Sequence, residues 1–160
     1  RGGDRAGAVG GARGIGVNAH LLARVGDERF AFALERVLEA VDAPTVHDLP
    51  NRPTGMLGTV RHRGQTVPLW DAGSAFGIAR ARGVGTALLF RDAGRAVALL
   101  VDDAVDIVQV PEDAVRLAPA GSDGGGLLAG VVRDAAGLMS VVRVDVLVSR
   151  LLSRGARGGR

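Results

Sequence analysis

Short apolar segments that face each other across tight turns recur along the chain, and they limit what it can fold into. "HLLARVGDERFAFAL" (20–34) reads as strand, turn and strand. Gly26-Asp27 supplies the corner, and Phe30 and Phe32 alternate toward one face. "GTVRHR" and "TVPLWD" are again strand-like, and Gly64-Gln65 fits a two-residue turn with Gly at its first central position. "TALLFRD" and "RAVALLVDDAVDIVQV" flank Ala93-Gly94, and "LLAGVVRD" and "LMSVVRV" flank "AAG". Hairpins at such intervals, with little helix between them, predict an all-β, β-dominated small-barrel architecture. No repeat period is obvious, but the number of hairpins allows two similar lobes.

The intervening segments are shorter and more polar. "ERVLEAVD" is open between a short helix and a third strand. "PTVHDLPNRPTGMLG", with three prolines, is a connection, and a helical turn is expected over 52–57 with Pro53 at its start. Pro68 lacks an N–H for a ladder and marks an edge or a bulge. "DAGSAFGI" predicts one helical turn, "PEDAV" another led by Pro111, and "APAGSDGGG" a loop. The long run 95–110 is a bent strand that bends or emerges near Asp102 and Asp103. "DVLVSRLLSR" is a closing helix capped by Asp145. Residues 1–18 and 154–160 are Gly/Arg-rich tails without a burial pattern.

Composition matters chiefly for what it excludes. Aromatics are only 3% of the residues, so a core must come from Val, Leu, Ala and Ile. The net charge of +3 invites a nucleic-acid reading, yet its excess lies at the ends. Residues 1–20 carry +2 and 151–160 carry +3, leaving −2 for the body between them. The pI near 11.0 follows from using Arg and no Lys. With no Cys there is no disulfide framework and no thiolate metal site, which suits a reducing cytoplasm. No apolar run is long enough to cross a bilayer, and the N-terminus lacks the apolar middle of a signal peptide.

Chemistry is hard to find. His20, His47 and His62 have no ligand spacing. Asp102, Asp103 and Asp106 could suggest a cation site, but adjacent strand residues point to opposite faces. "AGSDGGG" lacks the Lys-Ser/Thr of a phosphate loop. "GGARGIG" resembles the glycine turn of short-chain dehydrogenases, but no strand precedes it, the chain is too short for that fold, and the Tyr and Lys of that family's catalytic pair do not occur in the chain. A nucleic-acid-binding barrel would want aromatics among its arginines, and Trp70 is the one Trp, with no Tyr. What remains is a surface for proteins. Arg52, Arg61 and Arg63 bracket the Arg-Gly hairpin, and Arg is a residue type suited to interface hot spots. The plainer alternative has Arg63 bracing the hairpin against an internal acid.

Four segments in order then resemble the CheW family. They are "GDERFAFAL" with "ERVLEAV", "LPNRPTGMLGTVRHRGQTVPLWD", "VALLVDDAVDIVQVPEDAV" and "LLAGVVRDAAGLMSVVRVDVLV". The resemblance spans about residues 19–153. It implies two small five-stranded SH3-like barrels packed around a shared core, with short helical turns and a C-terminal helix. It implies no enzyme activity, no cofactor and no metal. It implies a scaffold joining the cytoplasmic tip of a chemoreceptor to the regulatory domain of the histidine kinase CheA, in the cytoplasm and recruited to receptor clusters, with no membrane insertion and no specific nucleic acid. By that likeness Val37, Glu39, Arg61, Arg63 and Gly64 fall where receptor contact is expected. The family usually has Asn-Leu before Arg-Gly; Arg61-His62 stand there in this chain and change the charge of the hairpin. A stand-alone CheW-like module in a non-motility pathway is the alternative that keeps the fold.

Overall fold

In a computed structural model, which describes residues 18–80, 83–119 and 121–158, every strand–turn–strand stretch forms an antiparallel hairpin. β1 (Ala19–Val25) pairs with β2 (Glu28–Ala33), and a 3₁₀ turn at Leu34–Arg36 leads into β3 (Val37–Asp42). The stretch left open between helix and strand is thus a little of each. β4 (Met56–His62) pairs with β5 (Gln65–Asp71), which runs into the short helix α1 (Ala72–Phe76). β6 (Thr86–Asp92) pairs with β7 (Arg95–Val101), and β8 (Asp103–Gln109) follows after a break at Asp102. β9 (Leu128–Asp134) pairs with β10 (Gly137–Val142), and α2 (Val144–Gly158) closes the described chain.

The ten strands make two five-stranded sheets, β8-β1-β2-β10-β9 and β3-β6-β7-β5-β4. In both, neighbours are antiparallel except one central parallel pair, β2 with β10 and β5 with β7. The two orders become identical when β1–β5 are superposed on β6–β10. The chain is therefore an internal duplication whose halves have exchanged their last three strands. β3 leaves the first hairpin for the second sheet, and β8 leaves the third hairpin for the first sheet. Finer details repeat as well. A bulge interrupts β3 between Val37 and Glu39, and one interrupts the β1–β8 pairing opposite Val105. Gly58 and Gly130 occupy matching places: a Cβ on either would collide with a carbonyl oxygen, that of His47 or that of Arg116, in the segment bridged to the neighbouring residue.

The core has three parts because the central strands bury both faces. Leu21, Phe30 and Phe32 of the first sheet meet Trp70, Leu88, Phe90 and Leu99 of the second, with Leu147, Val148 and Leu151 of α2 over them. The opposite face of the first sheet holds Leu22, Ala31, Met139 and Val141 in a core of its own. That of the second holds Val67, Leu69, Leu89 and Ala98. Alternation along β6 thus sends Leu88 and Phe90 to the shared core and Ala87 and Leu89 to the lobe's own. This explains why "TALLF" and "AVALLV" read as continuous apolar runs. Each fully buried Leu or Phe stabilises the fold by roughly 1.5–3 kcal/mol.

A polar chain also crosses between the lobes. Arg80, almost wholly buried, donates to Asp71 at 2.7 Å and to Asp102 at 2.9 Å. The other oxygen of Asp71 caps α1 by accepting from the Ser74 N–H (2.9 Å), and that of Asp102 accepts from the Gly26 N–H (2.6 Å). Burial opposes the Arg80 charge, but the bonds to Asp102 and Asp71 outweigh it and hold the guanidinium above its ordinary pKa. α1, so capped, stacks Phe76 on Phe30 of the first sheet at 4.2 Å between ring centres.

Several local expectations need correction. No helical turn forms over 52–57; the Met56 N–H bonds the Pro53 carbonyl across a tight turn, and β4 begins at once. Pro68 lies neither on an edge strand nor at the bulge. It faces Thr59, and the pairing of β5 with β7 starts only at the next residue, Leu69, so the missing N–H costs no ladder bond there. α2 starts at Val144, which places Asp145 inside its first turn rather than at the cap. The helix also runs to Gly158, so residues 154–158 are not a tail. The expected tail at 1–18, and with it "GGARGIG", lies outside the described residues apart from Asn18.

Candidate functional site

The Arg-Gly hairpin is built differently from the turn predicted for it. His62 pairs with Gln65, so the two central residues are Arg63 and Gly64, not Gly64 and Gln65. Both are left-handed, at φ 50° and 80°. That is the type I′ pattern whose twist suits a two-residue hairpin, and a residue with a Cβ tolerates it poorly. Arg61 braces the turn, donating to the Gly64 carbonyl at 2.7 Å. Arg63 is exposed at the tip and, among the described residues, has neither hydrogen bond nor ion pair. The idea that it braces the hairpin against an internal acid therefore finds no such acid. Arg52 sits at the far end of β4, bonded to the Met56 carbonyl (2.9 Å) and to Asp48 (2.8 Å), and does not bracket the tip.

The other expected residues lie on β3. Val37 is half-buried against the shared core, and Glu39 is exposed. β3 and β4 are the two edges of their sheet, yet the Glu39 carboxylate lies 2.9 Å from His62 Nδ1. The sheet therefore curls until its edges meet, consistent with a small barrel. This seam brings Glu39 beside the hairpin that carries Arg61, Arg63 and Gly64. His62, which has no ligand spacing in the sequence, lies within this seam. Its side chain is 10% exposed, because alternation from buried Val60 turns it inward while Arg61 points out.

At the other end of this sheet, where Asp42 pairs with Thr86, lies an apolar strip. Val84 is 78% exposed there and Val46 42%. A shallow cavity of about 320 Å³ between Pro44, Val46, Val84 and Leu100 runs beside it. Strips of exposed aliphatic side chains at this level mark contact surfaces more often than chemistry.

The remaining sequence candidates resolve simply. Asp102 is held by Arg80 and the Gly26 N–H, and no cluster among the described residues has the ligands for a metal ion. His20 Nδ1 bonds the Asn18 carbonyl, and His47 joins β4 through its backbone. No helix among the described residues is long and apolar enough to cross a membrane.

Known proteins give the geometry a family. The CheW-like domain family matches residues 19–152. The chain belongs to that family. The crystal structure of the scaffolding protein TtCheW from Thermoanaerobacter tengcongensis superposes with a TM-score of 0.73 at 16% identity, over 81% of this chain and 86% of that one. At that identity the likeness establishes the CheW fold: two five-stranded sheets, few helices and a shared core. No curated protein matches in sequence.

Proposed function

We propose that this CheW-like chain is a non-enzymatic adaptor that couples chemoreceptors to the histidine kinase CheA. The observation that carries the reading is the family match across 19–152, which takes in every described strand. Val37, Glu39, Arg61, Arg63 and Gly64 form the receptor-facing surface, and the regulatory domain of the kinase docks elsewhere. The apolar strip of Val46 and Val84, at the opposite end of the same sheet, offers such a second face.

An adaptor of this kind needs no bond-making residues. It needs two surfaces held at a fixed separation, and the buried core and the barrel seam supply that rigidity. Tethering raises the effective concentration of each partner, so contacts that are individually modest still hold a complex together. A signal passes only if those contacts differ in strength between kinase-on and kinase-off states. The protein acts in the cytoplasm, at membrane receptor clusters that it reaches through its partners. Co-purification from the native cell tests this: a CheA-type kinase and a chemoreceptor are expected together on the bait. Recovery of a kinase with no chemoreceptor would point to the non-motility alternative, and recovery of neither would overturn the reading.

A further inference from the structure

We infer that Arg80 is a positioning residue: it sets the angle at which the two lobes meet, so that a partner held on the second lobe fixes where the first lobe lies. The internal part stands on geometry alone, and its use in an adaptor rests on the function proposed above. The lobes touch mainly through apolar side chains, Phe30 and Phe32 on one side and Trp70, Phe90 and Leu99 on the other. Apolar contact holds surfaces together but is non-directional, so it sets the angle between them only weakly. Hydrogen bonds between charged groups carry geometric specificity and set it well.

Arg80 is where such bonds cross between lobes. Its side chain is 7% exposed. Nε donates to Asp71 at 2.8 Å, with Nη2 2.7 Å from the same oxygen, and Nη1 donates to Asp102 at 2.9 Å. Asp71 ends β5 of the second sheet, whereas Asp102 stands where the chain passes from β7 into β8 and so into the first sheet. The other oxygen of Asp102 accepts the Gly26 N–H of the β1–β2 turn. The backbone beside Arg80 is held as closely. A Cβ on Gly26 would lie 2.7 Å from the Ala79 carbonyl oxygen, and one on Gly73 of α1 would lie 2.6 Å from that of Ile78. Exposed Arg24 lies 3.7 Å from Asp102 but belongs to the first sheet, so it ties nothing across. The duplication makes the bridge one-sided. At the other crossing, between β2 and β3, Glu35 takes the place of Asp102. Its side chain is exposed and, among the described residues, has neither hydrogen bond nor ion pair. Arg36 beside it pairs with Asp92 at 3.3 Å, but both are partly exposed.

The chain has no Cys, so paired spin labels at Ala135→Cys and Arg95→Cys, exposed on the first and second sheets, report the distance between lobes. Arg80→Met alone would leave Asp71 and Asp102 without their guanidinium. The cleaner variant also carries Asp71→Asn and Asp102→Asn, whose amide oxygens still accept the Ser74 and Gly26 N–H groups. The parent is expected to give one narrow distance distribution. The triple variant is expected to give one about twice as wide, with its strands retained by circular dichroism. Arg80→Lys, a point charge without the planar fork, is expected to fall between them. Leu89→Ala weakens the second lobe's own core, leaves the bridge intact, and is expected to keep the parent's width. A triple variant as narrow as the parent would overturn the inference, and so would equal widening in Leu89→Ala, which would trace the change to lost stability. Should the triple variant lose its strands, Arg80→Lys decides, and the parent's width there overturns the inference. For the adaptor, a label on a bound receptor-tip fragment is paired with Ala135→Cys. That distance is expected to widen in the triple variant while affinity stays unchanged; equal widths would refute the claim that a partner on the second lobe fixes the first. A parent that binds no receptor tip would end the adaptor reading, and the internal distances would still decide the role of Arg80.

Discussion

The hairpins β4–β5 and β9–β10 occupy equivalent places in the two halves of the duplication, yet they handle charge in opposite ways. Asp134, at the end of β9, receives two bonds from Arg29, at 2.7 and 3.0 Å, and caps its own turn through the Ala136 N–H. Arg29 also reaches the Leu138 carbonyl. The acid of that tip is spent within the lobe, while Arg133 beside it is exposed. In the other lobe the place of Asp134 is taken by His62 and that of Arg29 by Ala96, so nothing among the described residues clamps the tip from β7. The turn position corresponding to Arg63 is Ala135. One scaffold thus holds a hairpin whose turn, Ala135-Ala136, carries no charge and one whose turn carries Arg63. Under the proposed function, docking would then be a property of turn residues and not of the barrels that carry them.

The comparison can be broken at several levels, the deepest being the shared core. If the lobes are one unit, Phe90→Ala is expected to cost about 3–5 kcal/mol and to leave a single unfolding transition. Trp70 fluorescence, which reports the second sheet beneath α2, and far-UV circular dichroism should then give coincident denaturant curves. Separate transitions would mean that the lobes unfold independently. Next come the matched glycines. Gly58→Ala and Gly130→Ala are each expected to lose about 1–3 kcal/mol by overpacking against a carbonyl oxygen. Chemical denaturation in which only one of them loses stability would deny the equivalence of the halves.

The smallest expected effect concerns the clamped hairpin. The hydrogen bond from Arg29, more than its charge, holds the Asp134 carboxyl below its ordinary range and Arg29 above its own. A carboxyl depressed in the folded state stabilises the fold above its unfolded pKa, and that contribution is lost as pH falls through the folded value. Asp134→Asn should therefore lower Tm slightly near about pH 7, and the gap should close as pH falls through the depressed folded value, below the ordinary carboxylate range. A Tm gap that persists unchanged in acid would show that Asp134 acts by some route other than its charge.

Much of this was legible in the sequence, and what was not has a common cause. The hairpin strands, the Gly26 corner and the inward alternation of Phe30 and Phe32 are local, set by spacing within a few residues. The break at Asp102 was also visible, but not that it carries the chain from one sheet to the other. Strand exchange is invisible locally: β3 looks like a continuation of the first hairpin and belongs to the second sheet. The duplication hid because its halves share geometry more than residues, as Phe30 and Val97 at one equivalent position show. At the candidate site, the tip and its arginines could be read directly. The turn register differs by one residue because a Gly commonly opens a two-residue turn, while here Arg63 takes the left-handed first position that Asn or Gly usually fills. The Glu39–His62 contact closes a barrel seam between strands far apart in sequence. The inward face of β4, with Val60 two residues before His62, was the signal that could have found it.

The most direct measurement is the affinity of a receptor-tip fragment for two charge variants made at equivalent turn positions, Arg63→Glu and Ala135→Glu, with Tm recorded for both. Both should keep the parent's Tm closely, within about 0.5 kcal/mol of stability, because both positions are exposed. Only Arg63→Glu should lose the receptor fragment. Equal losses in the two variants, or none in either, would contradict the claim that one hairpin of this duplicated fold carries the contact.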